Sequence, residues 1–119
     1  GEGVALSSIG SVYNALSQYT KALDYHQQSL AISKEIGDRS GESVSLNNIG
    51  LVYDALSQYA KALDYHQQSL AISKEIGARS DESNSLNNIG LVYMKLGLYT
   101  KALDYLQQSL AISKEIGDR

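Results

Sequence analysis

The sequence contains no cysteine, proline, phenylalanine or tryptophan. Without cysteine the chain can form neither a disulfide framework nor a cysteine-type zinc site, and we expect a reducing, cytoplasmic location. The absence of proline is typical of a chain that is nearly all helix, because proline breaks helices. The aromatic residues are nine tyrosines, three in every forty residues.

Strong charge of one sign and long apolar runs are missing as well. The formal net charge is -3 with both signs interspersed, so no basic stripe is present to bind phosphates, and we expect no nucleic-acid partner. The longest apolar runs are only a few residues, and the N-terminus does not resemble a signal peptide, so we expect no membrane partner. The 43% hydrophobic content over 119 residues is typical of one folded domain.

The seventeen residues KALDYHQQSLAISKEIG at 21–37 return at 61–77 and, with Leu106 in place of histidine, at 101–117. Residues 1–40 and 41–80 agree at 32 of 40 positions, and 41–79 and 81–119 agree at 30 of 39, without insertions. A fixed period in this range indicates a solenoid of stacked units. The sequence therefore predicts a single array over 1–119, with units 1–40, 41–80 and 81–119.

Each unit predicts a pair of antiparallel helices. In the second unit, Leu46, Ile49 and Tyr53 recur with helical spacing and form one face of a first helix. The second helix starts near Tyr59, after a link of only two or three residues, so it must fold back along the first. The prediction is an all-α solenoid of three helix-turn-helix units, with about six antiparallel helices.

Glycines mark two further features of each unit. Gly50 and its equivalents lie inside the first helix, where glycine costs about 1 kcal/mol relative to alanine, so we expect another helix to pass very close there. Gly77 is expected to be a left-handed cap that ends the second helix. Asp38 is expected to cap the start of the next first helix.

The differences among the units fall mainly on one stripe of the first helix. The positions are 4/44/84, 7/47/87, 8/48/88, 11/51/91, 14/54/94 and 15/55/95. They follow helical spacing opposite the Leu46 face, and stacking would align them into one concave surface. We interpret this surface as the place where a ligand is recognised. The alternative is that these are simply tolerant surface positions, although the exposed positions of the second helix hardly vary.

The pattern resembles the tetratricopeptide repeat over the whole chain. The matching positions of the second unit are Leu46, Ile49, Gly50, Tyr53, Ser57, Gln58, Tyr59, Ala62, His66 and Ser69. Leu46 stands where that family usually has tryptophan and Lys74 where it usually has proline, and the period is 40 residues rather than 34. The longer period, with LNNIG in the first helix, is similar to the repeats of kinesin light chains. The resemblance implies a right-handed superhelix.

The resemblance also implies a protein-interaction scaffold that binds an extended peptide or a helix in the groove formed by the first helices. Asparagine amides in such a groove would pair with the peptide backbone, whereas leucine, methionine, aspartate and lysine would select side chains. The residues expected to line the groove are Val44, Asn47, Asn48, Leu51, Asp54, Asn84, Asn87, Asn88, Leu91, Met94 and Lys95. A local alternative is that Asn48 and Asn88 tie the first helix to its neighbour.

No group of residues predicts catalysis or a cofactor. His26 and His66 lie one unit apart, too far to share a metal, and the equivalent Leu106 indicates a packing position. The charged run SKEIGDR at a helix end is typical of a solvated surface. We therefore expect no enzyme activity, no cofactor and no metal. The groove has a single cation, Lys95, which argues against a clamp for a peptide's C-terminal carboxylate.

The ends of the chain suggest a rival function. Neither terminal unit shows the polar outer face that closes a solenoid, and Asp118 and Arg119 stand where a further unit would begin. We therefore expect an excerpt of a longer array or an engineered repeat protein. Leu103, Leu106 and Leu110 would remain uncovered. Copies could then stack end to end as a self-assembling building block with no dedicated ligand.

Overall fold

A computed structural model describes residues 1–117 and confirms the all-α prediction: within them the chain forms helices and no strand. The six helices are α1 (Glu2–Ala15), α2 (Tyr19–Ile36), α3 (Arg39–Ala55), α4 (Tyr59–Ile76), α5 (Arg79–Lys95) and α6 (Tyr99–Gly117). The further unit expected to begin at Asp118 and Arg119 lies outside the described residues. None of these six helices is both long enough and apolar enough to cross a membrane.

Short turns join the two helices of each hairpin, as predicted. Residues 56–58 separate α3 from α4, and the Gln58 amide donates to the Tyr53 carbonyl at 2.9 Å to close the turn. Ser17, Ser57 and Gly97 hold the left-handed position of the three turns, with φ of 61°, 59° and 76°. Glycine enters this region more easily than serine because it has no Cβ, so the turn is least strained in the third hairpin.

The hairpins stack in chain order to form a layered solenoid. Helix α3 packs on its hairpin partner α4, on the preceding α2 and on the neighbouring first helices α1 and α5. The face predicted to be buried is buried: Leu46 is 4% exposed and Ile49 is completely buried. Val52, equally buried, belongs to the same seam. Apolar side chains of three consecutive helices thus form the core between layers.

The mid-helix glycines permit the close approach that the sequence predicts. A Cβ at Gly50 would lie 2.7 Å from His66 Cε1, and a Cβ at Gly90 would lie 2.8 Å from Leu106 Cδ2. His26 and His66 are 1% and 0% exposed. The histidines therefore occupy packing positions against the glycine backbone, which confirms the interpretation drawn from Leu106.

A buried network of serine hydroxyls, which the sequence analysis did not anticipate, holds the helices of each hairpin together. Ser43 Oγ shares hydrogen bonds with Ser69 Oγ at 2.9 Å and with Ser73 Oγ at 2.8 Å. Ser69 Oγ also pairs with Ser85 Oγ of the next hairpin at 3.1 Å. Small hydroxyls suit this seam because they allow close helix packing while remaining hydrogen-bonded.

Helix caps form at the positions where the sequence provides a capping residue. Gly37 and Gly77 adopt the predicted left-handed conformation after α2 and α4. Asp38 Oδ1 accepts a hydrogen bond from the Gly41 amide at 2.9 Å and caps α3 as expected. The equivalent residue before α5 is Ala78, which offers no side-chain cap.

Candidate functional site

The variable positions of the first helices form the candidate site. Along α3 they alternate with the core: Val44 is 43% exposed, whereas the next residue, Ser45, is 1% exposed. None of the eighteen stripe residues is buried. Because α1, α3 and α5 adjoin one another, their stripes form one surface, which we call the groove. Two clefts interrupt it, the first between α1 and α3 and the second between α3 and α5.

The second cleft holds a cavity of about 200 Å³. Its lining is Ser43, Val44, Asn47, Asn48, Ser69, Asp81, Asn84 and Ser85. Four of these residues, Val44, Asn47, Asn48 and Asn84, belong to the predicted groove stripe. The cleft is narrow because asparagine side chains from both helices project into it.

Asn47 and Asn88 are joined to each other across the second cleft. Asn88 Nδ2 donates to Asn47 Oδ1 at 3.1 Å, and His66 Nδ1 lies 2.7 Å from the same oxygen. An amide oxygen can only accept, so His66 carries its proton on Nδ1. This hydrogen bond supports the local alternative for Asn88, in which its side chain ties one first helix to the next. The partner is Asn47 rather than Asn48.

This arrangement keeps His66 neutral. Its Nε2 is buried without a hydrogen-bond partner among residues 1–117, and a second proton would place a charge there. Burial lowers the pKa of His66 to about 4, although the negative charge of Asp54 opposes the shift. Burial also lowers the pKa of His26. Neither imidazole is therefore suited to acid–base chemistry on a bound ligand.

Asp54 and Lys95 form a second bridge across the same cleft. Lys95 Nζ donates to both Asp54 oxygens, at 3.0 and 2.9 Å. The two side chains that were expected to select charged ligands are thus paired with each other. The pair joins residues that are 41 positions apart, on adjacent first helices.

The remaining predicted groove residues stay available to a ligand. Within residues 1–117 the side chains of Asn48, Asn84 and Asn87 make no hydrogen bond in the structure. Leu51 and Met94 are 36% and 44% exposed, and Leu91 is half-buried. Val44 is exposed as well, so these seven side chains offer amides and apolar contacts without a competing internal partner.

The first cleft is much larger, with a cavity of about 750 Å³. Its walls come from the start of α1, the end of α2 and the start of α3. The groove residues of α1 that line it are Val4, Ser7, Ser8 and Ser11. Sequence reasoning identified positions 7, 8 and 11 as variable but did not identify a cavity, because small side chains give no positive signal for one.

No group of three or more histidine, cysteine, aspartate or glutamate side chains within the described 117 residues could hold a metal ion. The two histidines pack against separate glycines, Gly10 and Gly50. What the groove offers chemically is therefore hydrogen bonding, apolar contact and a few charges.

Comparison with protein families explains the hairpin architecture. A family model described as tetratricopeptide repeat matches residues 2–75, and a second model with the same description matches residues 83–115. Together they cover most of the three hairpins. Among curated proteins, no sequence matches the chain significantly.

Solved structures with the same fold include BtubC from P. vanneervenii, with 19% identity, a TM-score of 0.87 and coverage of 98% of this chain and 48% of that one. Aspartyl phosphate phosphatase F from Bacillus subtilis matches with 25% identity, a TM-score of 0.90 and coverage of 98% and 30%. The TPR domain of Arabidopsis FLU matches with 21% identity, a TM-score of 0.84 and coverage of 96% of both chains. The chain thus spans less than half of the first two proteins.

Proposed function

The chain belongs to the tetratricopeptide repeat family, and from that membership we propose that it binds an extended peptide or a helix of a partner protein in the groove of α1, α3 and α5. Repeats of this family generally mediate protein–protein interaction. The observation that carries the proposal is the exposed, variable stripe on the first helices, beside second helices whose exposed positions are nearly constant.

The free amides carry the general part of the recognition in this proposal. Asn48, Asn84 and Asn87 would bond the backbone of the ligand, since an amide offers both a donor and an acceptor. Leu51, Leu91 and Met94 would contact apolar side chains. Asn47, Asn88, Asp54 and Lys95 would shape the groove through their mutual bonds and make fewer direct contacts with the ligand.

A peptide-binding experiment can separate these roles. We expect Asn48→Ala combined with Asn84→Ala to weaken the binding of a library-selected peptide about tenfold, the loss of one to two net hydrogen bonds. Gln67→Ala, on the exposed outer face of α4, is the matched control. Isothermal titration measures the affinity, and far-UV circular dichroism checks the helix content. Unchanged affinity in the double variant would contradict the backbone-reading role.

Several finer assignments belong to the same proposal. The 40-residue period leads us to place the chain with the kinesin-light-chain-like repeats. We also propose that the units 1–40, 41–80 and 81–119 form one array. We also infer that the chain acts through binding rather than catalysis, in the cytoplasm. Without a basic stripe or an apolar span, we propose a protein ligand rather than nucleic acid or membrane.

A second candidate function, end-to-end stacking of copies, is favoured by the outer helices. Val12 is 59% exposed, whereas the equivalent Val52 and Val92 are completely buried. On the last helix, Leu110 is 54% exposed, whereas the equivalent Leu70 is 9% exposed. The outer face of α6 therefore presents the surface that α4 uses to cover α5, and α1 presents the surface that would receive it.

Light scattering over a concentration series tests this stacking. We expect the mass to grow with concentration in the unmodified chain, and Leu110→Glu to abolish the growth, because burying an unpaired carboxylate is costly. Leu51→Glu, placed in the groove, is the matched control and should leave the growth unchanged. A constant monomer mass at all concentrations would exclude the stacking function for this chain.

A further inference from the structure

Three residues of α1 distinguish the first cleft from the second. Positions 3, 7 and 8 are glycine, serine and serine in α1, whereas the equivalent positions of α3 carry Ser43, Asn47 and Asn48. The smaller side chains remove volume from the wall of the cleft. The cavities have volumes of about 750 Å³ and about 200 Å³, and the larger one also extends over Ile36, Asp38 and Ser40, whose equivalents do not line the smaller one.

The floor of the first cleft presents a hydroxyl that has no partner. Ser33 is 5% exposed and lines the cavity, and no atom within residues 1–117 pairs with its Oγ. The equivalent Ser73 donates to the Ser69 carbonyl at 2.9 Å and also pairs with Ser43. In the first hairpin Gly3 stands in the place of Ser43, so this partner is missing. Ser33 Oγ faces the cavity, where a polar group of a ligand can pair with it.

The first cleft also lacks the bridges that close the second. His26 Nδ1 and Asn14 Oδ1 are buried without partners in the described chain, whereas the equivalent His66 bonds Asn47 and the equivalent Asp54 bonds Lys95. Ser7 instead pairs with Ser29 Oγ at 2.9 Å. Since no side chain ties α1 to α3 across the groove, a ligand can enter without breaking an internal bond.

The lining of the first cleft indicates the chemistry of its occupant. The apolar walls are supplied by Val4, Ile32, Ile36 and Val44. The charged side chains of the lining are Glu2 and Asp38, both acidic, beside the α-amino group of Gly1, and the lining includes no lysine or arginine. An apolar interior beside two carboxylates complements a large apolar side chain next to a positive charge.

We propose that the first cleft is the specificity pocket of the groove and takes a large apolar side chain, leucine, methionine or phenylalanine, from a partner segment with a lysine or arginine beside it. This inference rests on the proposed peptide-binding function. The backbone of the segment pairs with Ser33 Oγ, and its cation lies near Glu2 and Asp38. The second cleft, narrowed by asparagines and bridged by Lys95 and Asp54, takes no such anchor.

The differences between the two clefts suggest the variant that tests the pocket. The triple variant Gly3→Ser, Ser7→Asn and Ser8→Asn gives the first cleft the residues of the second. In this filled variant, the introduced groups are placed to pair with Ser33 and His26 as Ser43 and Asn47 pair with Ser73 and His66, so folding is preserved. The reciprocal variant, Ser43→Gly, Asn47→Ser and Asn48→Ser, opens the second cleft and serves as the matched comparison.

The probe is a random dodecapeptide library displayed on phage and selected against the whole unmodified chain. We expect the selected peptides to share a large apolar residue adjacent to lysine or arginine. Synthetic peptides from this pool should bind the filled variant at least about tenfold more weakly. Replacing the apolar residue with alanine should cost a similar factor on the unmodified chain and almost nothing on the filled variant.

The outcomes separate this inference from the function on which it rests. If selected peptides bind the filled variant as tightly as the unmodified chain but are weakened by Asn48→Ala with Asn84→Ala, the groove function stands and the pocket is refuted. If no selected phage is displaced from the chain by the synthetic peptide of the same sequence, the library contains no specific binder, and both the groove function and the pocket fail. Selected peptides with an acidic residue beside the apolar one would also overturn the proposed chemistry.

Discussion

The hairpin α1–α2 and the hairpin α3–α4 agree at 32 of 40 sequence positions, yet their equivalent side chains differ in environment. Val12 is 59% exposed and Val52 is fully buried. His66 bonds Asn47, whereas His26 Nδ1 has no partner within the described residues. The exposure of Val12 arises at the seam between hairpins, because α3 packs against α2, whereas within residues 1–117 no helix precedes α1. The histidine difference arises inside the hairpin, because Ser7 stands where α3 has Asn47.

This comparison teaches that a single hairpin is an incomplete unit of stability. Its internal contacts, such as the tyrosine stack between α1 and α2, are repeated almost identically in α3 and α4, with ring centroids 5.5 Å apart in both. The second hairpin gains burial from its neighbours, and it gains internal hydrogen bonds where Ser43 and Asn47 replace Gly3 and Ser7. In stacked repeats, stability is approximately the sum of such internal and neighbour terms.

Lowering the pH should reveal the largest difference between the two hairpins in their contribution to the free energy of unfolding. The pKa of His66 is lowered to about 4 by burial, against 6.5 in an unfolded chain, so the unfolded state takes up the proton first. The free energy of unfolding should therefore be unaffected above the unfolded pKa and fall by about 3 kcal/mol as the pH drops from about 7.5 to about 4. Urea unfolding over this range, in the unmodified chain and in His66→Leu, measures the contribution.

The matched control for that experiment is His26→Leu. Leucine is compatible with this position, because Leu106 packs on Gly90 in the third hairpin. Both substitutions should reduce the acid sensitivity, and His66→Leu should reduce it more, since burial lowers the pKa of His66 as far as about 4. Equal pH dependence in the unmodified chain and both variants would show that neither histidine is held neutral by the fold.

Truncating the equivalent valines is expected to give the next largest difference. Val52→Ala removes two buried methyl groups and should lower the free energy of unfolding by about 2 kcal/mol, whereas Val12→Ala should change it by less than about 0.5 kcal/mol. Thermal melts followed by circular dichroism compare the two. Equal losses would mean that Val12 is covered in solution, which would support stacking of copies at the N-terminal face.

The hairpin turns should show the smallest effect and no difference between hairpins. Ser17→Gly and Ser57→Gly should each raise the free energy of unfolding by about 0.5 to 1 kcal/mol, because both serines hold a positive φ that glycine adopts more easily. Gly97→Ser is the reverse control and should lower it by a similar amount. Urea unfolding is the measurement, and a clear inequality between the two serine variants would place part of the hairpin difference in the turns.

The sequence predicts the architecture well because the architecture depends on local spacing. The glycine phase predicted a close helix approach at Gly50, where the structure places His66, and Asp38 was correctly expected to cap α3. Both contacts join residues that lie close together in the sequence. The serine network could have been found in the same way, because Ser69 and Ser73 recur in every unit. Ser43 recurs as Ser83 in the third unit, although the first unit has Gly3 there.

The details of the groove were less predictable because they depend on which residues face each other across units. The bonds from Asn88 to Asn47 and from Lys95 to Asp54 join positions 41 residues apart, one more than the period. That offset is set by the packing of α3 against α5, which no single helix pattern determines. The first cleft was harder still, since a cavity is specified by side chains that are small in several helices at once.

The 41-residue span of these bridges also bears on how the chain folds. Every pair of helices in contact within residues 1–117 belongs to the same unit or to adjacent units, so no closing loop need be longer than about one period. Folding rates fall as the sequence separation of contacts grows. Additional units would therefore lengthen the protein without lengthening the conformational search, and each arriving hairpin could fold onto the one before it.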